Sequence, residues 1–124
     1  MLLHLEQPDH AYVLRGADGT SALVNDLRLI RSFALSPDTL VNPWAVHDIA
    51  TLVPADLEPL LALAPEVVLL GSGDRQVFPP AATMAVCLSR GIGLETMTNA
   101  AAARTFNVLA SEGRRVVAGF VLAG

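Results

Sequence analysis

Apolar residues follow two rhythms along this chain. Between residues 10 and 50 they come in short alternating bursts separated by turn formers, the pattern of strands with one face on a core and one in water. The run AYVLRG-ADGT-SALV predicts a β-hairpin, with Asp18-Gly19 supplying the positive φ values of a tight turn. LRLIRSFAL follows, with Leu27, Leu29, Phe33 and Leu35 on one face and Arg28 and Ser32 on the other. Arg31 interrupts the apolar face, so the strand is expected to bend or leave a sheet there. SPDTLVNPW is turn chemistry, and a further short strand is expected around 44–49.

From residue 54 onward, helical segments alternate with apolar runs. PADLEPLLALA predicts a short helix with Pro59 in its first turn, where a missing N–H does no harm. EVVLLG is too short for a helix and apolar on both faces, as a strand covered on both sides should be. PPAATMAVCLSRG carries proline at its start, arginine in its last turn and glycine just beyond, the punctuation of a helix. IGLETM reads as a strand. TNAAAARTFNVLASEG is the strongest helix, capped by Asn99 or Thr98 and ended by Gly113. RRVVAGFVL predicts a closing strand that is central, because it is apolar on both faces. The alternation favours an α/β sheet covered on both sides, mixed in direction and preceded by a β-hairpin region.

The totals narrow the function classes. At 124 residues the chain is expected to be a single domain, 1–124, long enough for a core. Over half the residues are apolar and 16% are charged, which excludes intrinsic disorder. A formal charge of -4 argues against a nucleic-acid partner, because neutralising phosphates needs a basic face. All eight cations are arginine, which removes lysine Schiff-base chemistry and the P-loop lysine together. Cys87 is the sole cysteine; with Met84 and Leu88 it is expected on a buried helical face, inert as a nucleophile. MLLHLEQPDH lacks the basic start and apolar run of a signal peptide, and no segment is long enough for a membrane span. A cytoplasmic location is expected.

The stretch LGSGDRQVFPP looks at first like a phosphate-binding glycine turn. A dinucleotide fingerprint places a third glycine where this chain has Gln76, and the following helix cannot start before Pro79 or Pro80. The late start aims no free N–H groups at a phosphate near Gly71, and no G-K-[ST] follows. A nucleotide role is disfavoured. Such loops nevertheless lie at the carboxyl ends of parallel strands, where α/β sheets hold ligands. Gly71, Ser72, Gly73, Asp74 and Arg75 are therefore candidates, with Asn99 at the helix start expected at the same edge. A solvated polar face is the usual reading of Arg104, Asn107 and Ser111, which share a side of the last helix; the rival reading is a directional hydrogen-bonding patch for a carboxylate or a backbone. His4, His10 and His47 are scattered without metal spacing. Ser72 lacks a nucleophile elbow, and no spacing commends His47 as its partner. No metal and no cofactor are expected.

Two runs carry a family resemblance. The first is a strand ending in Leu70, Gly71, Ser72 and Gly73. The second is Ala102, Arg104, Thr105, Phe106, Asn107, Leu109, Glu112, Gly113 and Arg114 before a last apolar strand. Together they resemble the Mth938-like domain proteins. The resemblance implies a three-layer β+α/β/α fold with a mixed sheet whose last strand runs antiparallel to its neighbours. It also implies a role without known catalysis, since eukaryotic members look like assembly or scaffolding proteins. Phe106 stands where tyrosine is common, which removes a hydroxyl.

The leading expectation is a non-catalytic protein-interaction domain, monomeric or homodimeric, using the 71–78 loop and the Arg104/Asn107 face toward an unnamed protein partner. The rival is a small-molecule or anion-binding domain, possibly an enzyme, with a pocket between the 71–76 loop and the start of the 99–112 helix. Enzymatic activity is the less favoured class.

Overall fold

The structure is a computed structural model that describes residues 10–123; the readings of residues 1–9, His4 among them, fall outside that range. The chain begins with the expected hairpin, β1 (Leu14–Ala17) and β2 (Ala22–Val24), extended by β3 (Leu27–Leu29) into a three-stranded antiparallel sheet. The positive φ lies one turn later than expected. Asn25, at φ 52°, makes the tight β2–β3 turn, while Gly19 is not among the positive-φ residues. The β1–β2 loop is held by Asp18, whose carboxylate accepts from the Thr20 and Ser21 amides.

LRLIRSFAL splits at Arg31 into β3 and β4 (Phe33–Leu35), which belong to different sheets. Ser32 sits buried at the break, where its hydroxyl accepts from the Leu122 amide at 3.0 Å. The strand expected around 44–49 is absent; β5 is Leu40–Val41 instead. The reason is Trp44, which is buried with its indole N–H on the Asp56 carbonyl at 2.9 Å. It is anchored by its side chain and by its amide, which donates to the Ser32 carbonyl at 2.8 Å, without joining a strand.

The second half follows the predicted rhythm: α1 (Glu58–Leu61), β6 (Val67–Gly71), α2 (Ala81–Ser89), β7 (Gly93–Met97), α3 (Asn99–Ser111) and β8 (Val116–Phe120). The central sheet has the order β5-β4-β8-β6-β7. The last strand is central, as its two apolar faces require. Its direction meets the expectation at β4, to which it is antiparallel, and departs from it at β6, to which it is parallel. Two crossovers explain this. α2 carries the chain from β6 to its neighbour β7, and α3 carries it back past β6 to β8, so all three strands point the same way.

Alternate residues of the central strands feed two cores. Val67, Leu69, Val116, Ala118 and Phe120 face α3 and the hairpin sheet, and the Phe33 and Phe120 rings stack there at 5.0 Å. Val68, Leu70 and Val117 face α1, α2 and the Trp44–Leu57 segment. Cys87 belongs to this second core, but Leu88 is 68% exposed, so the buried face of α2 runs through Thr83 and Cys87. The layers are the hairpin sheet with α3, the central sheet, and α1 with α2.

Candidate functional site

β6, β7 and β8 all end at one edge of the central sheet, and the candidate residues of the glycine loop gather there. Its centre is Asn99, the first residue of α3 and fully buried. Thr98 is the cap, accepting from the Ala101 amide. Freed from capping, the Asn99 side chain joins three separate pieces of chain. Its Oδ1 accepts from the Gly73 amide at 3.0 Å, and its Nδ2 donates to the Asp18 carbonyl at 2.8 Å and the Val121 carbonyl at 2.9 Å. Its own amide donates to the Gly73 carbonyl. Gly71 is required by this packing, because a Cβ there would lie 2.4 Å from Asn99 Oδ1 and 2.9 Å from Phe120.

The rest of the loop is equally committed. The Ser72 hydroxyl donates to the Arg75 carbonyl at 2.6 Å and accepts from the Val77 amide at 3.0 Å. Gly73 has φ 97°, a conformation that favours glycine. Asp74 accepts from the Gly19 amide at 2.8 Å, and a Cβ at Gly19 would strike its carboxylate. The glycine of the hairpin tip is thus needed for close approach and not for turn geometry.

A shallow cleft of about 280 Å³ remains beside this corner, lined among others by His47, Asp48, Ser72, Asp74 and Arg75. It brings a serine, a histidine and two carboxylates together, yet the Ser72 hydroxyl faces backbone groups. Among the described residues no hydrogen bond joins it to His47. That arrangement supplies no activated nucleophile. Among the described residues no group of three or more metal-ligating side chains occurs.

The two residues expected on the face of α3 part company. Asn107 makes a paired contact with the backbone of β1, accepting from the Leu14 amide at 3.0 Å and donating to its carbonyl at 2.6 Å. It covers a strand edge that would otherwise be open. Arg104 is exposed, as is Arg75. Of the eight candidates, the structure joins Gly71, Ser72, Gly73, Asp74 and Asn99 in one bonded corner, places Asn107 on the hairpin, and leaves both arginine side chains facing solvent.

A feature missed in the sequence lies just beyond. Residues 76–89 carry no charge, and Ala81, Ala82, Ala85 and Leu88 form the outward face of α2. Phe78, 61% exposed, precedes this helix. Val53, 51% exposed, sits near its start, because the Thr83 hydroxyl donates to the Leu52 carbonyl. The signal was legible as a helix that is apolar all round and carries no charge on any side.

A profile described as "Protein of unknown function (DUF498/DUF598)" matches residues 15–121. The chain belongs to the DUF498/DUF598 family. Among solved members, a Xanthomonas campestris protein is 56% identical with a TM-score of 0.85, aligned over 100% of this chain and 94% of its own. A Bordetella pertussis protein described as an Mth938-like domain is 30% identical with a TM-score of 0.83, again over 100% and 94%. The fold is therefore Mth938-like. A Francisella tularensis relative, named a 13 kDa major membrane protein, is 31% identical over 71 residues. That stretch covers 57% of this chain and 58% of the Francisella protein. Among the described residues no helix is long and apolar enough to cross a membrane.

Proposed function

We propose that this DUF498/DUF598 chain is a non-catalytic protein-interaction domain of the assembly-factor kind, with the 71–78 loop and the outer face of α2 as its contact surface. The observation that supports it is the uncharged apolar strip from Phe78 through Ala81, Ala82 and Ala85 to Leu88. Contiguous apolar surface of this sort marks association sites on proteins that otherwise present charge to water. The bonded corner holds the loop rigid beneath it, and a preformed surface loses little freedom on docking. Arg75, exposed in the same loop, gives the strip a charged rim. The reading includes a cytoplasmic location, for which the lone buried thiol is the support.

The test is affinity capture from the native cell with wild type and a Phe78→Asp/Leu88→Asp variant. The variant is expected to keep its circular dichroism spectrum and lose the captured protein. Light scattering on the same pair tells self-association from a foreign partner. Identical capture by both forms would exclude this surface. Recovery in the membrane fraction would exclude the cytoplasmic placement.

The small cleft beside Arg75 and His47 supports a second reading, a weak anion site. A thermal-shift screen with phosphate, nucleotides and carboxylates tests it, since binding to the folded state alone raises the melting temperature.

A further inference from the structure

A cavity of about 360 Å³ lies at the other end of the central sheet, where β8 begins and α3 ends. Its walls include Leu63, Ala110 and Val117, which are apolar, and its polar groups come from His10, Asp38, Ser111, Arg114 and Arg115. Two of these polar residues have assigned work. Ser111 donates to the Val108 carbonyl, and Arg114 pairs with Glu66 at 3.5 Å. The Val108, Leu109 and Ala110 carbonyls at the end of α3 are taken by the amides of Glu112, Gly113 and Arg114.

Two groups stand apart. Both ring nitrogens of His10 are buried with no hydrogen-bond partner among the described residues, although nearly all buried polar atoms in folded proteins have one. Arg115 uses its Nε on the Ala64 carbonyl, which leaves its terminal nitrogens without a partner among the described residues. An apolar cleft with a guanidinium at its rim and, in its wall, an imidazole that no described residue pairs suits a planar carboxylate. Asp38, also at the rim, disfavours a multiply charged anion such as phosphate.

We propose that this cavity binds a small monocarboxylate with an apolar body, its carboxylate on Arg115 and His10. The site is independent of the α2 surface and of the glycine corner.

The experiment is an amide NMR titration of the whole chain with benzoate, benzamide and inorganic phosphate. Benzoate is expected to shift Ala110–Val117 saturably by about 10 mM, which nearly fills a site of millimolar affinity. Benzamide and phosphate should leave those resonances in place. Arg115→Gln should weaken benzoate at least about tenfold. Ser111→Trp, which obstructs the cavity and alters no bond beyond its own helix, should abolish the shifts. An absent benzoate response, an equal response to benzamide or phosphate, or shifts that persist in Ser111→Trp would each overturn the proposal.

Discussion

Asn99 shows how a residue chosen for chemistry can belong to architecture. Its side chain satisfies one amide and two carbonyls in a place water does not reach, and buried polar groups left unpaired are costly. Asn99→Ala should lower stability by about 2–4 kcal/mol, seen as a drop in the urea midpoint with unchanged slope. Arg104→Ala, by contrast, should change stability by less than about 0.5 kcal/mol, as exposed positions do. A larger loss in the same denaturation measurement would show that the guanidinium supports the fold. Cys87 reads the same in sequence and structure: burial pushes its thiol above the ordinary value, against the small opposing effect of Arg90.

At the scale of elements, Asn107 holds the edge strand β1 of the hairpin sheet against α3 by both backbone groups of Leu14. Asn107→Ala should open β1 locally before the whole domain unfolds. The expected sign is faster hydrogen exchange at the Leu14 amide by about tenfold, equivalent to about 1.4 kcal/mol. The elements themselves were legible because their signals are local. Two-sided apolar runs gave β6 and β8, and Gly91 and Gly113, at φ 68° and 77°, do end α2 and α3. What stayed hidden depends on partners distant in sequence. The Trp44 segment reads as strand by composition but answers to Asp56 and Gly119. The expected direction of β8 overlooked that an α3 crossover must return the chain parallel to β6. The site divided likewise: its edge was predictable from topology, whereas the commitment of Asn99 to the hairpin tip, 81 positions away, leaves no local trace.

For the molecule as a whole, acid is the condition that tests the long-range ties. Glu66 accepts from the Arg115 amide, with both neighbouring arginines adding attraction, and its carboxyl is held below the ordinary 4.5. Asp18 lies below its ordinary 3.8 because the Thr20 and Ser21 amides bond its charged form. In the window between folded and ordinary values the unfolded chain binds more protons than the folded one. The stabilisation is therefore complete above the ordinary values and disappears as pH falls through the folded ones. Melting temperature should decline below about pH 4.5, and Glu66→Gln should soften that decline; a pH-independent wild-type curve would contradict it. The effect is modest, since both groups face solvent. The Asn99 junction has a consequence for biosynthesis. It gathers chain positions 18, 73 and 121, so an emerging polypeptide cannot close it until residue 121 has left the ribosome. Until that moment the tip of the first hairpin waits for the stretch that follows β8.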